Sequence, residues 1–368
     1  MKLAGIRVLD LSNFLPGPYL TLTMADHGAE VIKIEAPDGG DPGRTIGPKD
    51  GDETVFFRNL NRGKKSVVLD LKTDQGREAL LKLAETADVL VESFRPGVMT
   101  RLGVDYAAVS ARNPRIVYCS ISAFGQTGPY RNRPAHDLAV EALTGLLSMN
   151  LGEDGRPAIP GLPVTDLLAG LQGLSGILMA LLAREKTGFG DHVDISMQDA
   201  AVSGCLNILG PSLAAGVQPV VQHQRTTGGS AFYRIYPTQD GKYLALAGQE
   251  PRFVRALLGE LGRPDLIDLC LRGPGPHQAP VVAFLSQTFL SRTAHDWDER
   301  LGRLDICYGV LKTLPEGLDD ANLQARQMVI EDANGRRHIG PPIRFEREPA
   351  QPDFRAPALD QHGKTIVK

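Results

Sequence analysis

Apolar and polar residues alternate in blocks along the first half of the chain. Short apolar runs, which predict buried strands, lie at residues 6–11, 30–34, 66–71, 88–92, 115–122 and 192–195. Longer segments that predict helices follow several of these runs, at residues 19–27, 73–87 and 198–208. Strands that alternate with helices are typical of a parallel sheet. The first half therefore predicts an α/β fold with an open, Rossmann-like parallel sheet.

The pattern changes in the second half. Residues 210–230 are rich in Gly, Pro, Gln and Thr and predict a linker. A smaller α+β domain is predicted over residues 231–324, where two strand-like runs flank a turn at residues 239–241. We expect the Pro-rich tail, residues 325–368, to complete the large domain formed by residues 1–209.

Composition and charge narrow the range of functions. The chain has 368 residues and a formal net charge of −3, without the basic excess of a nucleic-acid-binding protein. The four cysteines, Cys119, Cys205, Cys270 and Cys307, form no CxxC pair and no Cys/His metal spacing. We interpret them as reduced thiols and expect a cytoplasmic protein without a metal centre.

Neither a signal peptide nor a membrane span is predicted. The first residues lead directly into a strand. The most apolar segment, residues 167–183, is interrupted by Gly170, Gly173 and Gly176, and we interpret it as a buried helix. Glycines at this spacing inside a helix favour close helix packing.

Nucleotide-binding motifs are absent from the sequence. The first strand is followed by residues 12–19 (SNFLPGPY), which do not match GxGxxG, and no Walker A motif occurs. The sequence therefore argues against an NAD-dependent dehydrogenase.

Three residues are candidates for acid–base or nucleophilic chemistry. The segments 134–137 (PAHD) and 163–166 (PVTD) each end a Gly/Pro-rich loop and place His136 and Asp166 near the starts of two consecutive predicted helices. Glu250 follows a strand-like run. Each also has a structural interpretation: Thr165 or Asp166 as the N-cap of its helix, His136 as an ordinary helix-start residue, and Glu250 as the start of a helix. Their combination favours a catalytic site.

Four basic residues are candidates for binding a phosphate-bearing ligand. Arg62, Lys64 and Lys65 precede one predicted strand, and Arg95 follows another. Arg95 falls at the carboxyl end of a strand, where open α/β sheets bind ligands, and guanidinium groups suit phosphate. Lys64 and Lys65 also fit solvated loop charges.

Several segments resemble the family III CoA-transferases (CaiB/BaiF), the group that also contains the α-methylacyl-CoA racemases. They lie at residues 5–11 (GIRVLDL), 28–35 (GAEVIKIE), 61–66 (NRGKKS), 94–98 (FRPGV), 125–130 (GQTGPY) and 340–345 (GPPIRF). The resemblance implies an interlocked homodimer, with each active site between the large domain of one chain and the small domain of the other. It also implies that Arg95 and residues 62–65 hold coenzyme A as part of an acyl-CoA substrate. No metal, flavin, nicotinamide, nucleic acid or membrane is expected.

The family includes two chemistries that use the same positions. In the racemases, residues matching His136 and Asp166 exchange the α-proton, and a glutamate matching Glu250 supports the histidine. In the transferases, an aspartate matching Asp166 attacks the acyl-CoA. Residues 228–233 (GGSAFY) and 248–253 (GQEPRF) resemble the racemases, whereas residues 165–170 (TDLLAG) resemble the transferases. We favour α-proton racemisation or epimerisation of a 2-methylacyl-CoA, with CoA transfer through Asp166 as the alternative.

Overall fold

The computed structural model describes residues 1–152 and 154–367. The strands are β1 (Arg7–Asp10), β2 (Glu30–Glu35), β3 (Lys49–Asp50), β4 (Glu53–Thr54), β5 (Lys65–Val68), β6 (Val89–Glu92), β7 (Val117–Ser122), β8 (His192–Ser196), β9 (Arg234–Pro237), β10 (Tyr243–Leu246), β11 (Tyr308–Val310), β12 (Val329–Glu331) and β13 (Arg337–Ile339). The helices are α1 (Pro16–Asp26), α2 (Val55–Asn61), α3 (Asp74–Ala84), α4 (Val98–Leu102), α5 (Tyr106–Arg112), α6 (Asp137–Thr144), α7 (Val164–Thr187), α8 (Met197–Gly204), α9 (Gly210–Ala215), α10 (Pro251–Glu260), α11 (Ile267–Leu271), α12 (Ala279–Phe289), α13 (Ala294–Leu301), α14 (Leu314–Leu318), α15 (Ala321–Ala325) and α16 (Gly363–Ile366).

The largest sheet has six strands in the order β5-β2-β1-β6-β7-β8. All of its pairings are parallel, which confirms the α/β prediction. From β1 the chain builds outwards through β2 and β5, then returns to place β6 on the other side of β1. Ligands of open parallel sheets bind at this kind of switch point, outside the carboxyl ends of the strands.

The described residues form two compact units. Unit 1 comprises Met1–Leu146, Ile159–Gly204 and Ala321–Lys368, and unit 2 comprises Leu147–Ala158 and Cys205–Asp320. Unit 1 contains the parallel sheet, and unit 2 contains the antiparallel sheet β11-β10-β9. The predicted domain limits stay a prediction, but the segment 210–230, for which no element was predicted, includes helix α9.

Unit 2 is held together by an aromatic core. Trp297, Phe289 and Tyr236 are almost completely buried, and the Trp297 ring meets Phe289 edge-on at 5.1 Å between ring centroids. The predicted strand pair is confirmed as β9 and β10. The third strand, β11, was not predicted, because three residues carry too little periodicity to indicate a strand.

Helix α7 packs closely against other elements of unit 1 through its glycines. A Cβ atom at Gly170 would lie 2.7 Å from the carbonyl oxygen of Pro16, and one at Gly176 would lie 2.7 Å from a methyl group of Val193. The prediction of close packing is confirmed. Among the described residues, α7 is also long and apolar enough to cross a membrane by length and composition, a test that core helices of soluble proteins pass as well.

Candidate active site

A cavity of about 320 Å³ lies in unit 1, beyond the carboxyl ends of β1, β6 and β7 and at the starts of α6 and α7. It brings together three residues that the sequence analysis selected, His136, Asp166 and Arg95. The remaining lining residues are Asn13, Phe14, Pro16, Ser93, Phe94, Pro96, Ile121, Ser122, Ala123, Phe124, Arg131, Arg133, Pro134, Ala135 and Met197.

His136 is the N-cap residue of α6 and makes no side-chain capping bond. Its exposed ring meets the ring of Phe14 edge-on, with 6.0 Å between centroids. Phe14 has a backbone φ of +62°, in the left-handed region that residues other than glycine rarely adopt. Residues held in such conformations cluster at functional sites, which fits the position of Phe14 in the cavity wall.

Asp166 is the third residue of α7 and lies in its first turn. The N-cap position belongs to Pro163, so the interpretation of Thr165 or Asp166 as the N-cap is wrong. The Asp166 carboxylate has no hydrogen bond or ion pair with any other described residue and faces the cavity. Burial, and then the negative charge of Asp137, raise the pKa of Asp166 to about 7.

Two arginines that the sequence analysis did not select, Arg131 and Arg133, also line the cavity. The signal that could have found them is their position directly before the segment 134–137. Within the described part of the chain, neither they nor Arg95 form an ion pair, although the Arg133 guanidinium lies 5.2 Å from the centre of the Tyr130 ring. Unpaired guanidinium groups are suited to binding an anion.

A second cleft, of about 510 Å³, adjoins the cavity and shares Asn13 and Phe94 with it. The cleft is lined by residues at the ends of β1, β2 and β5 and at the start of α4. Most of them are apolar, but Glu35, Asp38, Asp70 and Lys72 also line it. The backbone N–H of Asn13 donates to Ser93 Oγ at 3.0 Å, and the N–H of Phe94 donates to Glu92 at 2.7 Å. The first bond joins the loop after β1 to the loop after β6, and the second is local to the loop after β6.

Comparison with known proteins decides the family. The family model for CoA-transferase family III matches residues 3–363. The chain belongs to CoA-transferase family III. It is 34% identical to an acetyl-CoA:oxalate CoA-transferase of Acetobacter aceti over 99% of this chain and 94% of that one. It is 32% identical to a succinyl-CoA:glutarate CoA-transferase of Mus musculus over 100% of this chain and 86% of that one. The crystal structure of a CaiB/BaiF family protein from Brucella suis superimposes with a TM-score of 0.84 at 31% identity. The match covers 99% of this chain and 98% of that one.

Arg62 and Lys64 have partners inside the protein, although the family resemblance implies that they contact coenzyme A. Arg62 pairs with Asp26 at 2.7 Å, and Lys64 pairs with Asp10 at 3.0 Å; all four side chains are buried. Neither basic residue lines the cavity that contains Asp166. Both side chains are thus engaged inside the protein, and their contact with coenzyme A stays a prediction.

Lys65 and Glu250 stay predictions. Lys65 is half-exposed and paired with Glu30. Glu250 is the N-cap residue of α10 in unit 2, so the interpretation that it begins a helix is confirmed, and its role in catalysis is untested. No group of three or more potential metal ligands occurs among the residues that the structure describes.

Proposed function

We propose that this enzyme transfers coenzyme A between an acyl-CoA and a carboxylic acid, with Asp166 as the nucleophile. The observation that carries the proposal is the Asp166 carboxylate, which faces a cavity without a protein partner; Arg95, Arg131 and Arg133 line the same cavity. The CoA-transferase names of the relatives fit this reaction better than racemisation.

The reaction requires four exchanges at acyl carbons. The Asp166 carboxylate attacks the acyl-CoA carbonyl and expels the CoA thiolate, which leaves a mixed anhydride. The thiolate then attacks the Asp166 carbonyl of the anhydride, releases the first carboxylate and forms an aspartyl-CoA thioester. The acceptor carboxylate attacks this thioester, which gives a second anhydride and free thiolate. The thiolate attacks the acceptor acyl carbon, so the new acyl-CoA leaves and Asp166 is regenerated.

Coenzyme A has two neighbouring spaces to occupy. We propose that the thioester lies in the cavity at Asp166 and that the rest of the cofactor extends past Asn13 and Phe94 into the adjoining cleft. Arg95 lines the cavity close to this passage and is suited to a phosphate or a carboxylate. The position of the cleft at the sheet's switch point supports this placement.

We propose a short dicarboxylic acid as the acyl acceptor. The two relatives described above are named for oxalate and glutarate, both dicarboxylates. In this chain, Arg131 and Arg133 could pair with the carboxylate that does not react, because both line the same small cavity as Asp166.

Racemisation of a 2-methylacyl-CoA remains the second candidate. The observation in its favour is that His136 and Asp166 line one cavity, as a two-base exchange of an α-proton needs. The two activities differ in their requirements, because a racemase needs no acceptor acid and exchanges the α-proton with solvent.

We also propose that the enzyme is a homodimer. Helix α7 leaves Leu171, Leu178, Met179 and Leu182 exposed on one face, with Leu182 72% exposed. An apolar helix face of this kind needs a cover in a soluble protein. Light scattering should give twice the mass of the chain, and Leu182→Glu should shift the protein towards the monomer.

The decisive experiment compares Asp166→Asn with the wild type. Each protein is incubated with acetyl-CoA and oxalate or with succinyl-CoA and glutarate, and the new thioester is measured together with the mass of the protein. We expect transfer to fall by roughly 10⁴-fold and the aspartyl-CoA adduct to disappear. Asp199→Asn is the matched control, since Asp199 is also the third residue of a helix but does not line the cavity.

The same proteins separate the two activities. Without an acceptor acid and in D₂O, a transferase should leave the α-proton of a 2-methylacyl-CoA in place. Proton exchange that His136→Ala abolishes, together with no transfer to any tested acid, would contradict the proposal and establish racemisation.

A further inference from the structure

The first turn of α7 obtains its cap from a neighbouring helix. Its N-cap residue, Pro163, has no side chain able to accept a hydrogen bond. Asp137, the first residue of α6, accepts instead: its Oδ1 receives the N–H and the hydroxyl of Thr165, both at 2.7 Å, and the N–H of Asp166 at 3.4 Å. The backbone that carries Asp166 is therefore hydrogen-bonded directly to the Asp137 side chain.

We propose that Asp137 is a positioning residue for the transfer reaction, whose carboxylate fixes the first turn of α7 and places a negative charge beside Asp166. The proposal rests on the role of Asp166 as the nucleophile. It adds a second residue, one that the sequence analysis did not select and that does not line the cavity.

The charge of Asp137 has a consequence for Asp166. The N-terminal end of a helix is positive and by itself would stabilise the Asp166 carboxylate and lower its basicity. Asp137 opposes this effect, because it occupies the free N–H groups and adds a negative charge of its own. Asp166 then keeps the basicity of a weakly stabilised carboxylate, which favours attack on the thioester carbon.

A second acid, Glu141, lies on α6 close to Asp137. Glu141 is completely buried, and both of its carboxyl oxygens lack a hydrogen-bond partner. Burial, and then the charge of Asp137, raise the pKa of Glu141. Glu141 is therefore harder to ionise beside Asp137 than an ordinary glutamate, which opposes a second negative charge on α6.

The other charged groups in the cavity and on the elements packed against α7 are the same in every variant tested below. Those in the cavity are His136, Arg95, Arg131 and Arg133, and those on the elements packed against α7 are Asp26 of α1, His192 and Asp194 of β8, and Asp199 of α8.

The test measures how fast the aspartyl-CoA adduct forms in a single turnover between pH 5 and 9. In the wild type we expect the rate to rise with pH through about 7 and to fall about tenfold per pH unit below it, because only ionised Asp166 attacks. Asp137→Asn keeps an acceptor oxygen but removes the charge. The acid limb of its pH–rate profile, where the rate falls with decreasing pH, should move about one pH unit lower. At pH 5.5 its rate, as a fraction of its own plateau, should then be about tenfold higher than that of the wild type.

Three variants separate the charge from a structural effect. Asp137→Glu keeps the charge and should keep the limb near its wild-type position. Glu141→Gln resembles the protonated acid and should leave the limb unchanged. Asp105→Asn removes the same kind of charge from another helix start, where Asp105 accepts the N–H of Ala108 at 3.1 Å, and should change nothing.

The outcomes are distinct. A limb that stays in place in Asp137→Asn, or an equal loss of rate at every pH, would overturn the proposal. If Asp137→Asn does not fold, a limb in Asp137→Glu that differs from the wild type by more than half a unit would do the same. No CoA adduct in the wild type at any pH would instead contradict Asp166 as the nucleophile.

Discussion

Two groups of basic side chains in unit 1 differ in their partners. Lys33, Lys64 and Arg62 are buried and each has an aspartate partner, at 2.7, 3.0 and 2.7 Å respectively. Arg95, Arg131 and Arg133 line the cavity, and no described residue forms an ion pair with them. We call the first group the buried basic residues and the second the cavity arginines.

The buried basic residues support the site without lying in its wall. Lys64 donates to Asp10, Thr21 and Asn61, and burial lowers its pKa to about 8 although Asp10 opposes the change. Lys33 donates to the carbonyl oxygen of Ser12 at 2.8 Å. Ser12 precedes Asn13 and Phe14, which line the cavity. These lysines therefore stabilise the loop after β1 from the protein interior. A basic residue in a ligand-binding family can therefore be structural.

The largest effect that we expect in this comparison is on stability. Lys64→Met leaves the Asp10 carboxylate buried without its cation, which should lower the free energy of unfolding by about 3–5 kcal/mol. Urea denaturation measures the change.

Lys65→Met is the matched control for Lys64→Met. Lys65 is the next residue, and its pair with Glu30 is partly exposed, so the loss should stay below about 1 kcal/mol. A small loss of stability in Lys64→Met together with a raised KM for the acyl-CoA would place Lys64 among the ligand-binding residues and remove the contrast. A raised KM in Lys65→Met with unchanged stability would confirm the predicted contact of Lys65 with coenzyme A.

A smaller effect, on binding alone, is expected for the cavity arginines. Arg95→Met removes a charge-assisted hydrogen bond to the substrate, worth about 1.5–3 kcal/mol, so KM for the acyl-CoA should rise roughly 10- to 100-fold. The free energy of unfolding should stay within about 0.5 kcal/mol, because Arg95 has no protein partner to leave behind. Steady-state kinetics and urea denaturation measure the two quantities.

Arg101→Met is the control for the cavity arginines, since Arg101 is an exposed arginine of the nearby helix α4 that does not line the cavity. It should leave both KM and stability unchanged. Equal effects of Arg95→Met and Arg101→Met would show a general effect of surface charge instead of a binding site.

Much of the fold could be predicted because its signals are local. All six strands of the parallel sheet were predicted from short apolar runs, and helix α3 was predicted from the segment 73–87. Elements with weak periodicity were missed, among them α2 and α9. The cap of α7 was misassigned to Thr165 or Asp166 because its acceptor, Asp137, is 28 residues away from Thr165.

The sequence by itself determined the α/β class, the family and the placement of His136 and Asp166 at two helix starts. Strand and helix periodicity and the loops before the helices are properties of neighbouring residues, so they can be read along the chain. Only the tertiary structure decided which charges are paired. Lys64 and Arg95 are both basic residues next to predicted strands. Asp10 lies 54 residues from Lys64 and pairs with it only in the folded chain, whereas no described residue forms an ion pair with Arg95. The free energy of a charge depends on its burial and its partners, and both are set by contacts between distant parts of the chain.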